Sequence, residues 1–154
     1  MIQKLEHHRT RIAEKIREVF QASYAVEAKL LGATDFPPLK RPVAGFLKSP
    51  NDFFGYHRGA ELAGVVEVVP GKGSTHIQSL VVHPKFFRLG IGSALVAFVL
   101  DSYDCPLFTV ETGLDNGPAT ALYRKFGFRE IHQYDTDHGV RKVRFERSRD
   151  SQMP

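Results

Sequence analysis

Cysteine is almost missing from this chain: Cys105 is the only one in 154 residues, so an internal disulfide and any cysteine-based zinc site are excluded. Long apolar runs are missing as well. The longest, Ala94 to Leu100, is far too short to cross a bilayer. The opening residues Met1-Ile2-Gln3-Lys4-Leu5-Glu6 lack the apolar stretch and small-residue cleavage site of a secretory leader. A cytoplasmic, reducing location is therefore expected, with no membrane partner. No internal repeat or low-complexity tract is visible. Histidines supply no helix-spaced pair that suggests a metal, since His7 and His8 lie near the start and His132 and His138 flank the last hairpin. No metal is expected. The composition, 42% hydrophobic and 25% charged, excludes a disordered or collagen-like chain. One core at this length buries roughly two thirds of the unfolded surface, so no staple is needed.

Formal net charge is +4 and the sequence pI is about 9.3. That balance favours an anionic partner, either nucleic acid or a phosphorylated small molecule. Basic residues are nevertheless scattered. Only Arg141, Lys142, Arg144, Arg147 and Arg149 cluster, and they alternate along a terminal strand, so a nucleic-acid function is disfavoured.

Helical spacing opens the chain: Ile12, Ile16, Val19, Phe20, Val26 and Leu30 share a face, and Gly32 is placed to cap the end. Three prolines at positions 37, 38 and 42 then forbid a helix, in a linker that could border a cleft or be a plain surface loop. Phe53 to His57, Leu62 to Val69 and His76 to Val82 read as an antiparallel meander. Gly90 to Leu100 reads as a helix apolar on most sides, which must be buried against a sheet. Pro106 to Glu111 reads as a strand and Pro118 to Lys125 as a short helix closed by Gly127. A last hairpin runs through Ile131 to Asp135 and Val140 to Glu146. The expected class is α/β in the mixed α+β sense, with a mostly antiparallel central sheet flanked by helices and residues 1–154 forming one domain.

Two glycine loops invite a phosphate reading. Gly71-Lys72-Gly73-Ser74 fails as a nucleotide P-loop, because Val66 stands where its first glycine belongs and Gly73 where Ser or Thr must follow the lysine. Gly90-Ile91-Gly92 is better placed, between a strong strand and a buried helix, where free N–H groups and the helix dipole attract phosphate oxygens. A dinucleotide fingerprint would want a third glycine where Leu95 stands. The loop alone divides evenly between phosphate binding and a tight connection.

The larger constellation is more specific. Leu80-Val81-Val82-His83-Pro84, then Phe87-Arg88-Leu89-Gly90-Ile91-Gly92-Ser93-Ala94-Leu95, then Asn116, Ala119 and Tyr123 with Gly127-Phe128, together resemble the GNAT superfamily of N-acetyltransferases. The resemblance runs from about Phe53 to Phe145, and the leading helix and proline linker occupy the usual place of the family's acceptor-side helices. In one respect the chain departs: the family places Arg or Gln where Phe87 stands, and Arg88 comes one residue later.

The resemblance implies acetyl-CoA as acetyl donor and a direct ternary-complex transfer to an amine. It implies that the backbone of Leu80, Val81 and Val82 pairs with the pantetheine arm as an added strand would, and that an N–H there polarises the thioester carbonyl. It implies that N–H groups of Arg88, Leu89, Gly90, Ile91, Gly92 and Ser93 hold the pyrophosphate, that Asn116 positions the pantetheine or the adjoining strand end, and that Tyr123 protonates the departing thiolate. A phenol of pKa near 10 can serve as a modest acid for a leaving group that is already fair. Glu111 occupies the position of a catalytic glutamate in the ribosomal-protein N-terminal acetyltransferases that this stretch resembles. Its rival as general base is Glu67, whose valine neighbours would raise its pKa; an ordered water chain could replace both.

Other residues say less. His76 shares a strand face with Leu80 by period-two counting, and Cys105 reads as structural. Tyr24, Glu27 and Asp35 could attract a cationic amine, although an ordinary helix surface is the favoured reading. The acceptor is a small-molecule amine or a peptide, and homodimerisation is left open. The competing function is a non-catalytic CoA-binding sensor.

Overall fold

The computed structural model describes residues 1–148; Arg149 of the basic cluster lies outside them. Helix α1 (Thr10–Leu31) follows the apolar spacing, burying Ala13, Ile16, Val19, Phe20 and Ala28. Gly32, at φ 64°, ends it with its N–H on the carbonyl of Lys29, the left-handed cap that glycine adopts without a Cβ penalty. Val26 and Leu30, expected on the buried face, are instead 40% and 49% exposed. The reason lies beneath the helix. Its first half rests on the sheet, but its last turns overhang a cleft, which Ser23, Tyr24, Glu27 and Leu31 face.

The described residues form a sheet of seven strands, numbered in chain order and arranged β1-β2-β3-β4-β5-β7-β6. Strands β2 (Asp52–Arg58), β3 (Glu61–Pro70) and β4 (Thr75–Val82) form the expected antiparallel meander. A short first strand, β1 (Ile2–Lys4), adds to β2; its three residues carry no alternation long enough to be read. Strands β6 (Arg129–Asp135) and β7 (Arg141–Ser148) are the last hairpin, and β7 is inserted between β6 and β5 (Leu107–Gly113).

Among the described residues β4 and β5 are the only parallel pair of strands, and they meet over just three positions: Thr75↔Phe108, His76↔Thr109 and Ile77↔Val110. Beyond that, β4 continues to Val82 and β5 to Gly113 without pairing to each other. A bulge marks the parting point. Ile77 faces Val68 and Ser79 faces Glu67, so Gln78 is an extra residue that bends β4 and reverses its alternation.

Two apolar cores pin this sheet from either side. Under α1 and α2 (Val43–Leu47) lie Ile16, Phe20, Phe46, Phe53, Val65 and Val81. On the opposite face α3 (Ile91–Ser102) buries Ile91, Leu95, Val96 and Val99 against Val66, Val68, Ile77 and Val110. Each of these side chains contributes about 2 kcal/mol of burial. Gly64 sets how close α3 can come, because a Cβ there would stand 2.8 Å from the Ile91 side chain. Helix α4 (Gly117–Lys125) begins at Asn116, whose Oδ1 accepts the N–H of Ala119 at 3.2 Å. The class is α+β, a mixed, mostly antiparallel sheet flanked by helices. No helix among the described residues is long and apolar enough to cross a membrane.

Candidate functional site

The parting of β4 and β5 opens a cleft of about 530 Å³. Its β4 wall follows from strand alternation. The N–H of His83 bonds to Ala63 of β3 at 2.8 Å, so the N–H of Val82 points the other way, where Ser23 Oγ accepts it at 3.4 Å. Leu80, two residues back, shares that direction. Leu80 and Val82 thus turn their backbone groups to the open side and line the cleft, whereas Val81 buries its side chain with Phe53 and Val65 beneath α1.

At the outer end the chain enters α3 through two left-handed residues, Arg88 at φ 66° and Gly90 at φ 77°. Arg88 is the only non-glycine residue at positive φ among those described, a conformation that costs roughly 1 kcal/mol. Gly90 gives the helix no side-chain cap, so the first-turn N–H groups of Ile91, Gly92 and Ser93 have no internal acceptor. A Cβ at Gly92 would meet only Leu122, at 3.4 Å. Arg88, Gly90, Ile91, Gly92 and Ser93 line the cleft; Leu89 does not and is 51% exposed.

Tyr123 closes the inner end. Its ring packs on Phe128 at 5.6 Å and Phe145 at 6.1 Å. Its side chain lines the cleft, and its hydroxyl donates to no described residue. Burial pushes the phenol well above its usual range, and nearby Tyr24 and Glu27 push it further, so it stays protonated. Tyr24 is raised in the same way, by burial first and then by Glu27. Glu27 accepts a hydrogen bond from Asn116 Nδ2 at 2.5 Å, and burial outweighs that bond and Lys142 to lift its carboxyl above the ordinary range. Asn116 therefore has both ends of its amide engaged within the protein, one on α4 and one on α1.

The two glutamates weighed as bases differ from each other. Glu111, on β5, lines the cleft and accepts from Tyr134 Oη at 2.6 Å and from Arg144 Nη1 at 3.4 Å. Burial raises its pKa, but those two bonds and His76 outweigh burial and hold it below the usual range. Tyr134 is pushed up to about 12 by burial and by the carboxylate it serves. Glu67 is 1% exposed and takes four hydrogen bonds: Arg41 Nη1 at 2.7 Å, Arg41 Nη2 at 3.1 Å, Asn51 at 2.9 Å and Ser79 at 3.1 Å. The expectation of apolar surroundings fails there because Val66 and Val68 point to the other face of the sheet. His76 is likewise not beside Leu80: the bulge at Gln78 breaks the period-two count, and His76 bonds to Thr109 Oγ1 at 2.7 Å. Cys105 is buried, with its thiol on Thr75 Oγ1 at 3.0 Å.

Sequence reasoning missed Ser23 and Lys142 as cleft residues and took Glu27 for helix surface. The available signal was registry: positions 16, 20, 23, 27 and 31 continue one face of α1, but the face changes from apolar to polar where the sheet ends. Among the described residues, no group of three His, Cys, Asp or Glu side chains could hold a metal.

Residues 13–128 match the family model described as the acetyltransferase (GNAT) family. Over 141 residues the chain is 34% identical to UPF0157 protein YqkA of Bacillus subtilis, covering 91% of this chain and 41% of that protein. It is 37% identical over 60 residues to an N-alpha-acetyltransferase of Sulfolobus acidocaldarius, 36% of each chain. The chain thus spans less than half the length of these curated relatives. Among solved structures, the PaiA N-acetyltransferase from Thermoplasma acidophilum in complex with coenzyme A has the same fold, with a TM-score of 0.74 at 17% identity over 96% of this chain and 98% of that one.

Proposed function

Since the chain belongs to the GNAT acetyltransferase family, we propose that it moves an acetyl group from acetyl-CoA directly to a primary amine, within one acetyltransferase domain of residues 1–154. The observation that carries this reading is the cleft where β4 and β5 part. It has strand backbone turned away from the sheet along one wall, uncapped N–H groups at its mouth and an unclaimed phenol at its inner end. These are the three features that a thioester with a long amide-bearing arm and a pyrophosphate requires.

The residues fit that donor by kind. The outward backbone of Leu80 and Val82 suits an arm lying along β4 as an extra strand would, with Val81 linking the two while its side chain anchors the strand. An N–H on this edge would stabilise charge on the acetyl oxygen. The loop from Arg88 through Leu89, Gly90, Ile91 and Gly92 to Ser93 offers backbone donors and a helix start to the phosphates. The guanidinium of Arg88 adds positive charge from one position later than the family pattern. The burial that keeps Tyr123 protonated also makes it a weaker acid; its part is to give a proton to the sulfur as charge builds there with the breaking carbon–sulfur bond. Glu111 is an acidic wall of the cleft: Tyr134 and Arg144 hold it ionised, which draws in a cationic acceptor but makes it a weak proton acceptor.

The test is thiol release from acetyl-CoA with a panel of primary amines: a peptide with a free N-terminus, a polyamine and a lysine side chain. Amine-dependent release is expected. Tyr123→Phe should lower turnover at least tenfold, about 1.4 kcal/mol in barrier, with acetyl-CoA affinity nearly unchanged. Equal turnover in the variant would remove the phenol from the mechanism. Acetyl-CoA binding without transfer to any amine would turn the reading to a CoA sensor.

A further inference from the structure

We propose that Glu27, on the leading helix, receives the ammonium group of the acceptor and takes the proton its nitrogen must lose before attack. The inference rests on the acetyltransferase reading and deepens it.

Three observations converge on this residue. The first is position. Glu27 and Glu111 are the acidic residues lining the cleft, and the charges of Glu27 and Tyr24 are close enough to act on the Tyr123 phenol. The second is the partner set. Glu111 is engaged by a guanidinium and a phenol, whereas the carboxylate of Glu27 is met by one neutral amide, through Oε1. Its other oxygen accepts no hydrogen bond from a described residue. A carboxylate facing a cleft with a single hydrogen bond, and that from a neutral amide, is completed well by an incoming cation. The third is the frame. Asn116 caps the helix that carries Tyr123 with its Oδ1 and grips Glu27 with its Nδ2, so proton donor and proton acceptor are held across one cleft by one side chain.

The charged and titratable groups around Glu27 agree with the role. Lys142 of β7 faces it, Tyr24 lies one turn back on the same helix, and Tyr123 reaches in from α4. Lys142 and the Asn116 bond favour the carboxylate, but burial prevails and the acid is less strong than usual, which suits a group that must accept a proton. In the step itself, an ammonium gives one proton to Glu27 and becomes a neutral amine. Its lone pair forms the bond to the acetyl carbon, the carbon–sulfur electrons go to sulfur, and Tyr123 supplies the proton that makes the thiol. The second proton shed by nitrogen restores the phenol, and Glu27 returns its own to solvent.

The experiment uses protein labelled with 13C at glutamate carboxyls and saturated with CoA, and n-butylammonium as probe. The Glu27 signal is assigned by its loss in Glu27→Gln. Its midpoint should lie above that of Glu111 and fall by about half a pH unit when excess n-butylammonium is added, because a bound cation favours the ionised form. With n-butylamine as acceptor, Glu27→Gln should lower kcat/KM roughly a hundredfold and leave acetyl-CoA affinity unchanged, while Glu111→Gln should cost far less. A Glu27 midpoint that ignores n-butylammonium in protein that still binds acetyl-CoA would overturn the inference alone. Loss of the acetyl-CoA site itself would overturn the acetyltransferase reading and this inference with it.

Discussion

Helix α1 lies over one glutamate, the buried Glu67, and carries another, the half-buried Glu27, and their surroundings could hardly differ more. Glu67, under the first half of the helix, has four hydrogen bonds and a guanidinium stacked 4.1 Å from the Phe46 ring centre. Glu27, in the second half, has one neutral partner and a cleft in front of it. The difference in partners goes further than the difference in burial. A carboxylate whose oxygens are all spoken for joins three segments of chain: the proline linker at Arg41, Asn51 before β2 and Ser79 of β4. A carboxylate left partly unmet is available to a ligand, and the protein tolerates the cost of keeping it so.

The sharpest way to test that contrast is to cut the closed half. Arg41→Ala leaves Glu67 buried beside Asn51 and Ser79 without its cation and should cost about 3 kcal/mol of stability, read from urea unfolding. Glu27→Gln should cost none, because glutamine keeps the Asn116 bond and removes a charge that burial disfavours. A smaller effect is expected at the mouth of the cleft. Gly90→Val forces a β-branched residue to φ 77° in otherwise open space, at a cost of about 1–2 kcal/mol, and should weaken acetyl-CoA binding by distorting the phosphate loop. Asn116→Ala removes the α4 cap, worth about 1 kcal/mol of stability, and both Asn116→Ala and Asn116→Asp should lower turnover, because neither keeps the donor to Glu27.

The smallest effect is a pH dependence that separates the two carboxylates of the cleft. Glu27 is raised in the folded state, so the folded protein holds more protons than the unfolded chain between the ordinary carboxylate range and the raised value. The stability this adds is complete at low pH and is lost as pH rises through that window. Glu111 is lowered, and its contribution is present above the ordinary range and lost as pH falls through the lowered value. Relative to wild type, Glu27→Gln should therefore melt higher at neutral pH with the gap closing in acid, and Glu111→Gln should melt lower at neutral pH with the gap also closing in acid. Melting curves across that range decide it.

Much of the fold was legible because local signals agreed with tertiary ones. The Gly32 cap, the valine-rich β3, the buried α3 and the Pro118 opening and Gly127 close of α4 each rest on a few neighbouring residues. What was not legible depends on partners distant in sequence. Nothing near Gln78 announces a bulge, yet that one residue moves His76 away from Leu80. The insertion of β7 between β5 and β6 is a choice of neighbour, not of periodicity. Glu67 looked exposed to apolar surroundings because its valine neighbours were counted along the strand, whereas Arg41 and Asn51 reach it from other segments. Glu27 passed for surface because a polar residue on an inward helix face signals a cleft only when the opening beneath it is known.

If acetyl-CoA occupies the parting of β4 and β5, calorimetric titration of acetyl-CoA into the protein, with CoA as the comparison ligand, reads that binding directly. One site with micromolar affinity for both ligands is expected, weakened by Gly90→Val and unchanged by Tyr123→Phe. A folded sample that takes up neither ligand would contradict it.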